Sequence, residues 1–261
     1  QKHDWPEPLV WSQALVNADD FDRFKALQWG IRTWDVWNFV DCDNRFGDEW
    51  PGRIPAQLVA HILYFFSEPN DLVFDPMAGG GVCADTCLAM GRRCWSLDMD
   101  DRPDTRPEIE PWFWDLEKDW EDLPFLNAKE KPVLIICDPP YFDKKADGYA
   151  KKSISGLSKT DYLIFLERFL IFLKKMARKD ARLVFINADW RDFQNCPAKK
   201  EDSGRAILLV DYYEMFKKTG WSLSHIIQAP LSSERFNAGV VSAMQKKKIL
   251  GVTSRYVMVL K

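Results

Sequence analysis

Apolar residues fall along the chain in two patterns: short continuous runs, and longer segments in which they recur every three or four positions. The short runs predict buried strands over residues 72–74, 93–97, 132–137, 183–187, 223–228 and 256–260. The helical spacing predicts helices over residues 18–26, 54–66, 82–90, 161–177 and 207–218. Because most of the strands alternate with helices, the pattern predicts an α/β fold with a doubly wound, mostly parallel sheet.

The last two predicted strands are separated by residues 231–254, where no helical spacing is evident. Parallel neighbours need a long crossover, usually a helix. We therefore expect one of these two strands to run antiparallel at or near the sheet edge.

Composition narrows the class of protein. The 261 residues include 46% hydrophobic and 29% charged side chains, enough for one sizeable core. The formal net charge of -3 excludes a uniformly basic nucleic-acid binder and leaves such binding to local patches. No apolar run reaches the roughly 18 residues of a membrane span, and the first residues lack the pattern of a signal peptide. We expect a cytoplasmic protein with no membrane partner.

Tryptophan is concentrated near the amino terminus, where six of the 12 residues of this type lie within the first 50 positions. Such rings either stack on nucleobases or fill gaps in a core. The scarcity of Lys and Arg between them favours the core. We divide the chain into a Trp-rich amino-terminal extension, residues 1–50, and a main domain, residues 51–261.

Six cysteines are scattered along the chain, and none of them stands in a CxxC pair: Cys42, Cys83, Cys87, Cys94, Cys137 and Cys196. This arrangement favours reduced thiols over a disulfide framework or a metal site. We therefore predict no metal.

A Gly-rich loop follows the predicted strand 72–74 and precedes a helix; its sequence is Asp75-Pro76-Met77-Ala78-Gly79-Gly80-Gly81. Backbone without side chains lets a ligand approach closely, and the start of the helix offers unpaired N–H groups. The loop has neither the Lys-Ser/Thr pair of a phosphate-binding loop nor a clean GxGxxG spacing. It indicates a different adenosyl ligand, and Asp98 or Asp100, after the next strand, is placed to bind ribose hydroxyls.

A second distinctive segment, Asp138-Pro139-Pro140-Tyr141, follows the predicted strand 132–137. The prolines stiffen the turn and expose carbonyls that no β-ladder consumes. The Asp138 carboxylate and one such carbonyl can together accept both hydrogens of an exocyclic amino group, and Tyr141 offers a ring that stacks on a flat heterocycle. The tetrad predicts a site for an aromatic amine.

The loop and the tetrad together resemble the S-adenosylmethionine-dependent DNA amino-methyltransferases, the N6-adenine and N4-cytosine enzymes. The resemblance covers about residues 35–260 and departs from the usual cofactor motif at Met77 and at Val82-Cys83. It implies a Rossmann-like, seven-stranded methyltransferase sheet, mostly parallel with one antiparallel strand. Residues 51–261 would then form the methyltransferase domain.

The resemblance also implies roles for particular residues. The residues implied to bind S-adenosylmethionine, with the first three at its methionine end and the last near its adenine ring, are Arg53, Ile54, Pro55, Asp75, Pro76, Met77, Ala78, Gly79, Gly81, Asp98 and Asp115. The catalytic residues implied are Asp138, Pro139, Pro140 and Tyr141, with Phe142 as a neighbour of the base. The methyl group would pass directly to the amino nitrogen of a base that has left the duplex.

The substrate stays open within limits. In the family an Asp at the first tetrad position is typical of adenine enzymes and a Ser of N4-cytosine enzymes, which favours adenine N6 and leaves N4-cytosine as an alternative. An RNA amino-methyltransferase and a non-catalytic nucleic-acid-binding partner subunit are further alternatives. A small-molecule methyltransferase would leave the lysine-rich loops unexplained. Methylation of cytosine C5 is disfavoured, because it uses a Pro-Cys pair and this chain has Cys196-Pro197.

Lysines follow the tetrad closely in the sequence. We predict that four of them bind DNA phosphates at the mouth of the base pocket, with an ordinary solvated loop as the alternative: Lys144, Lys145, Lys151 and Lys152. The DNA would be a duplex with a flipped base or a single strand. A second candidate patch combines Lys246-Lys247-Lys248 with Arg255.

No inserted target-recognition domain is expected, because only about twenty residues separate Asp115 from Asp138. Recognition would come from the first 50 residues or from the loops 142–160, 191–205 and 231–254. The target sequence, any restriction partner and the oligomeric state stay open, with a homodimer as one option.

Overall fold

The computed structural model of the protein describes residues 18–142, 153–191, 206–231 and 238–261. Within these ranges the chain forms a seven-stranded sheet and a separate two-stranded ribbon. The strands are β1 (Leu72–Asp75), β2 (Arg93–Asp98), β3 (Ile109–Pro111), β4 (Leu134–Cys137), β5 (Arg182–Asn187), β6 (Trp190–Arg191), β7 (Ala206–Ile207), β8 (Leu223–Pro230) and β9 (Ser254–Leu260). The α-helices are α1 (Asp20–Ala26), α2 (Ala56–Phe66), α3 (Val82–Ala89), α4 (Lys159–Met176), α5 (Leu209–Lys218) and α6 (Ala238–Lys247).

The strand order across the sheet is β3-β2-β1-β4-β5-β9-β8, and β6 and β7 form the ribbon. β1 pairs in parallel with β2 and with β4, so the direction of winding changes between β1 and β4. β9 runs antiparallel between β5 and β8. The predicted doubly wound sheet with one antiparallel strand is confirmed, and that strand lies second from the edge. A switch point such as the one between β1 and β4 leaves a crevice for ligands at the carboxyl ends of the strands.

Several elements differ from the predictions, and the ribbon strands β6 and β7 are among those not predicted. No strand is predicted at Ile109–Pro111, because β3 has only three residues, two of them exposed, and so forms no apolar run. Residues 231–254 contain α6, although no helix is predicted there. None of the residues of α6 is buried, so no core-facing stripe marks this helix in the sequence. The predicted helix from residue 207 begins at Leu209, because Ile207 pairs with Trp190 in the ribbon.

Apolar side chains cover both faces of the sheet. One face packs against α2, α3 and the amino-terminal segment, and the other against α4 and α5. In the second layer, Phe169 of α4 packs edge-on at 4.7 Å from Trp114, and Phe165 lies 5.7 Å from Trp120. These contacts hold the chain that follows β3. Over the described ranges, no helix combines the length and the apolar character that crossing a membrane requires.

Residues 18–50 pack against the first face of the sheet. Trp29 and Trp37 are buried there, which confirms the core interpretation for these two rings. The backbone N–H of Trp37 donates to the Gln228 carbonyl at 2.9 Å, so the segment runs along the edge strand β8. Trp34 is exposed. Trp5 and Trp11 lie outside the described residues.

A buried histidine ties this segment to α2. His61 Nε2 accepts the backbone N–H of Arg32 at 2.9 Å, and His61 Nδ1 donates to the Gln57 carbonyl at 2.6 Å. Burial lowers the pKa of His61 to about 4, so the ring is neutral at physiological pH.

Candidate active site

A cavity of about 430 Å³ opens where β1, β2 and β4 end. Five segments form most of its wall, residues 49–54, 75–80, 98–100, 113–114 and 138–141. Cys83, Leu231 and Arg255 also line it. The cavity therefore brings the Gly-rich loop and the tetrad together, although they are far apart in the sequence.

Glycines in the loop after β1 allow two stretches of backbone to approach closely. A Cβ on Gly79 would lie 2.9 Å from the Trp50 ring, and one on Gly80 would lie 2.7 Å from the Asp48 carbonyl oxygen. Gly79 and Gly81 also have φ angles of +51° and +85°, which L-residues rarely adopt. Gly79 thus offers bare backbone to the cavity, whereas Gly81 is buried at the start of α3, behind the wall.

Asp98, the last residue of β2, holds the Gly-rich loop in place. Its Oδ2 accepts the backbone N–H of Gly79 at 2.7 Å, and its Oδ1 accepts that of Asp100 at 3.1 Å. Burial raises the pKa of Asp98, while these two hydrogen bonds and the Arg102 charge oppose the increase. Both Asp98 and Asp100 line the cavity, so the two sequence alternatives for binding ribose stay open.

Two arginines beyond β2 support the part of the wall that precedes α2. The Arg102 guanidinium lies 4.5 Å over the Trp50 ring. Arg106 is buried and pairs with Asp85 at 3.2 Å. The same Asp85 oxygen accepts the backbone N–H of Gly47 at 2.6 Å. These contacts join the amino-terminal segment to α3.

Asp75, the last residue of β1, is buried at the bottom of the loop. Its Oδ1 accepts the backbone N–H of Met77 at 3.1 Å. Burial raises the pKa of Asp75 well above its usual range, and the nearby Cys94, Asp98 and Asp138 add to the increase. The predicted loop residues that line the cavity are Asp75, Pro76, Met77, Ala78 and Gly79.

Of the residues 53–55, predicted to contact the methionine end of the cofactor, two line the cavity and one supports its wall. Arg53 and Ile54 line the cavity, whereas Pro55 caps α2. Arg53 Nη2 donates to the carbonyls of Asp43 at 2.6 Å and Phe46 at 2.5 Å. The guanidinium therefore also fastens the loop before it.

Asp115 lies beside the cavity and is not among the residues of its wall. Its Oδ1 accepts the backbone N–H of Glu117 at 3.0 Å, and its Oδ2 lies 3.8 Å from Lys118 Nζ. The Asp115 side chain thus takes part in a local turn. Nothing in this arrangement supports a contact with an adenine ring.

Two aromatic residues that the sequence analysis missed line the cavity where Asp115 is expected. Trp114 donates its indole N–H to the Pro76 carbonyl at 2.8 Å, which fixes this ring against the Gly-rich loop. Phe113 is 40% exposed and lines the opening. Two large aromatic residues directly after a strand could have indicated these positions, but β3 is not evident in the sequence.

The tetrad after β4 offers hydrogen-bond acceptors to the cavity. Asp138 Oδ1 is buried and has no hydrogen-bond partner among the described residues. The Pro140 carbonyl accepts the Tyr162 hydroxyl at 3.1 Å. No donor in the described part of the chain reaches the Pro139 carbonyl. The pair of acceptors predicted for an amino group is therefore the Asp138 carboxylate and the Pro139 carbonyl.

The charge state of Asp138 depends on two opposing effects. Burial raises the pKa of Asp138 to about 6, while the Arg255 charge and the Tyr141 hydroxyl lower it. At neutral pH the group is mainly a carboxylate, which only accepts hydrogen bonds.

Arg255 does not belong to a surface patch with Lys246-Lys247-Lys248, contrary to the sequence expectation. Arg255 is 2% exposed, lines the cavity, and donates from Nε to the Pro230 carbonyl at 3.3 Å. It lies near the start of β9, an inner strand, whereas the three lysines are exposed at the end of α6.

The two rings at the end of the tetrad have different surroundings. Tyr141 lines the cavity, as expected. Phe142 is buried and packs 4.7 Å from Trp190 and 5.3 Å from Tyr162, so it supports the tetrad from behind rather than lining the base pocket.

The predicted phosphate-binding lysines lie outside the described residues: Lys144, Lys145, Lys151 and Lys152. Lys159, farther along the same basic stretch, begins α4 and donates to the Ala206 carbonyl at 2.6 Å. Lys159 thus anchors the ribbon strand β7.

Comparison with known proteins finds a family similar to the amino-terminal part of the chain. Residues 1–102 match the family model of N6/N4 methyltransferases, described as DNA methylase. The match includes the Gly-rich loop and β2, and it ends before the tetrad. None of the curated proteins matches the chain.

Several solved structures are similar to the chain. A TehB-like SAM-dependent methyltransferase from Corynebacterium glutamicum is 15% identical, with 78% of this chain and 86% of that chain covered and a TM-score of 0.44. A SAM-dependent methyltransferase from Geobacter sulfurreducens, in complex with S-adenosyl-L-homocysteine, is 11% identical, with 80% and 91% covered and a TM-score of 0.46. The 1,6-didemethyltoxoflavin-N1-methyltransferase of Burkholderia thailandensis is 11% identical, with 78% and 75% covered and a TM-score of 0.42.

The matched segment supports an S-adenosylmethionine-dependent amino-methyltransferase for residues 1–102, and the strand order agrees with the methyltransferase sheet that the resemblance implies. The family match confirms the resemblance for the amino-terminal part of the chain. S-adenosylmethionine is the cofactor of this class, as the motifs imply.

Proposed function

We propose that the protein is a DNA methyltransferase that methylates the exocyclic amino group of a flipped base, adenine N6. One observation carries the proposal. Asp138 Oδ1 is buried without a described partner in the same cavity as the Gly-rich loop. A buried acceptor without a partner is costly unless a ligand supplies the donor. An exocyclic amino group is a donor that fits.

The residues of the other half of the cavity fit the cofactor. S-adenosylmethionine, when bound, supplies an electrophilic methyl group on a sulfonium. Bare backbone at Gly79 allows close approach, the Asp98 and Asp100 carboxylates suit ribose hydroxyls, and the Phe113 and Trp114 rings suit a flat adenine. Arg53 and Ile54 line the part of the cavity that we propose for the methionine end of the cofactor. We do not include Asp115 in the cofactor site, because it does not line the cavity, whereas Asp98 and Asp100 do.

The protein's part in the transfer is to orient the amino group. Asp138 accepts one N–H of the target amine, and the Pro139 carbonyl accepts the other. The nitrogen lone pair, which neither acceptor uses, forms the new N–C bond as the C–S bond breaks and its electron pair stays on sulfur. The methylated nitrogen then loses one proton to Asp138, from which it passes to water. Tyr141 stacks on the base and keeps it out of the duplex.

The amino group of cytosine N4 presents the same two donors, so Asp138 and Pro139 fit it as well. Adenine is favoured by the Asp at the first tetrad position. DNA is favoured over RNA by the DNA methylase match over residues 1–102. The proposal that Lys144, Lys145, Lys151 and Lys152 contact phosphates rests on their place in the sequence after the tetrad.

A methyl-transfer assay with labelled S-adenosylmethionine tests the proposed function. Duplex DNA, single-stranded DNA and RNA of matched sequence are incubated with the protein, and the products are digested to nucleosides. We expect label in N6-methyladenine from DNA. Label in N4-methylcytosine, or in RNA alone, would replace the proposed substrate. No label in any nucleic acid, from a preparation that binds the cofactor, would contradict the proposal. An excess of S-adenosylhomocysteine serves as the inhibited control.

A further inference from the structure

Three cysteines form a cluster between α3 and β2, behind the Gly-rich loop. The Sγ atoms of Cys83, Cys87 and Cys94 all lie within 4.8 Å of one another. Cys83 and Cys87 are one turn apart on α3, and Cys94 belongs to β2. All three are free thiols, the first two buried and the third half-buried. The fold creates this cluster from a C-x3-C-x6-C spacing, which is why no CxxC pattern reveals it.

Hydrogen bonds connect the three thiols with one another and with their surroundings. Donation from Cys83 and then from Cys87 holds the pKa of Cys94 well below its usual range, and Ser96 Oγ, 3.3 Å away, and the Asp75 backbone N–H add to the effect. The pKa of Cys83 is raised by its hydrogen bond with Cys87, and that of Cys87 by burial. Three sulfurs thus face one another within 4.8 Å. The thiolate is the form that binds metal ions.

We propose that Cys83, Cys87 and Cys94 form a binding site for a soft, thiophilic metal ion such as Zn²⁺ or Cd²⁺. Three sulfurs at about 2.3 Å from one ion are at most about 4 Å apart. The cluster, with its limit of 4.8 Å, has to contract by less than about 1 Å. Rotation of short side chains supplies a contraction of this size. Sulfur ligands select soft ions over Mg²⁺ and Ca²⁺.

A bound ion would join two elements that shape the cofactor cavity. α3 begins directly after Gly81, and β2 ends at Asp98, which holds Gly79. Cys83 itself lines the cavity, so an ion can reach the cluster from that side. The ion therefore stabilises the folded protein, and its binding is coupled to that of the cofactor in the adjoining cavity.

Titration of the reduced, intact chain with Cd²⁺ tests the proposal. Cadmium is the probe because its thiolate complexes have a charge-transfer absorption in the ultraviolet. We expect one ion per chain by native mass spectrometry, the charge-transfer band, and a melting temperature that rises with the Cd²⁺ concentration. Cys87→Ala and Cys94→Ala should each weaken binding at least about a hundredfold. Cys42→Ala, which removes a thiol outside the cluster, should bind as the wild type does.

Several results would overturn the proposal. These are a wild-type chain without bound Cd²⁺, an unchanged affinity in Cys87→Ala and Cys94→Ala, and a disulfide within the cluster formed in place of ion binding. If the alanine variants fail to fold, the proposal is tested instead by the rate at which each cysteine of the wild type is alkylated in mild urea, with and without Cd²⁺. Cd²⁺ should protect the peptides that contain Cys83, Cys87 and Cys94, and leave Cys42 as reactive as before. Protection that is absent, or equal at Cys42, counts against the site.

Discussion

The backbone N–H of Gly79 donates a 2.7 Å hydrogen bond to Oδ2 of Asp98. This bond joins the loop after β1 to the end of β2, two strands that pair in parallel. The second oxygen of Asp98 accepts the N–H of Asp100 at 3.1 Å. One carboxylate thus fixes two segments of the cavity wall, and the shape of the cofactor half of the cavity depends on it.

Replacing Asp98 should therefore loosen the cofactor site. Asp98→Ala removes the acceptor of both N–H groups, and hydrogen bonds to a charged group contribute about 1.5–3 kcal/mol. We expect the affinity for S-adenosylhomocysteine, measured by titration calorimetry, to fall about tenfold to a hundredfold. Asp101→Ala, a change at an exposed neighbour, is the matched control. Equal affinities for the two variants would show that the Gly79 bond does not shape the site.

Gly81 is a second point at which the loop tolerates no side chain. Its φ is +85°, and a Cβ would lie 1.6 Å from Nη2 of the buried Arg106. The backbone conformation alone costs an alanine about 1–2 kcal/mol. We expect Gly81→Ala to lower the melting temperature by about 2–8 °C in differential scanning calorimetry.

The control for this change is Gly156→Ala. Gly156 has a negative φ, and a Cβ added there would have no other atom within 4 Å. The melting temperature of Gly156→Ala should stay close to that of the wild type. If Gly81→Ala and Gly156→Ala had the same melting temperature, the strained geometry assigned to the loop would be contradicted.

Arg255 should control the pH dependence of methyl transfer. Burial raises the pKa of Asp138 to about 6, and the Arg255 charge opposes this increase. Protonation turns one carboxyl oxygen into a donor and removes the base that takes the amino proton, so activity falls as the pH decreases through about 6. Arg255→Met removes the opposing charge, and the acid limb of kcat/KM should move to higher pH by up to about one unit. Arg255→Lys keeps a cation and should keep the limb near the wild-type position. A limb that is unmoved in Arg255→Met would refute this electrostatic role.

Much of the site could be predicted because parallel strands end at the same edge of a sheet. Asp75 and Asp138 both follow continuous apolar runs, and this pattern alone places them together at the carboxyl ends of β1 and β4. The Gly-rich loop shows in the sequence for a related reason, since close backbone approach and positive φ both require glycine at Gly79.

The rest depends on contacts that leave no periodic signal. β3 is too short to form an apolar run, so Phe113 and Trp114 after it were missed and Asp115 was assigned instead. Arg255 is charged and close in sequence to three lysines, yet it lies on an inner strand and faces the cavity. A charged side chain suggests a surface position from the sequence, but the position of its strand in the sheet decides whether the side chain is buried.

The basic stretch after the tetrad gives a prediction that rests on sequence position alone. Lys151→Gln with Lys152→Gln should weaken DNA binding and reduce the slope of log K against log salt by roughly one to two, because each phosphate contact contributes about one. Affinity for the cofactor should not change. Fluorescence anisotropy at several salt concentrations measures the affinity for DNA and its slope.

The charge-matched control is Lys217→Gln with Lys218→Gln. These residues end α5, which leads into the amino end of β8, and so they lie at the opposite edge of the sheet from the cavity. The two substitutions should leave the slope of log K against log salt unchanged. A Lys151/Lys152 variant with the wild-type affinity and slope would remove these lysines from the DNA interface.

The most direct test of the central claim, that Asp138 orients the target amino group, compares methyl transfer with cofactor binding in Asp138→Ala. Asp119→Ala, which changes an exposed carboxylate, is prepared alongside it. We predict that Asp138→Ala binds S-adenosylhomocysteine within about tenfold of the wild type but loses more than about a hundredfold in turnover at saturating DNA. If Asp138→Ala kept about 5% or more of the wild-type turnover, the claim would be contradicted.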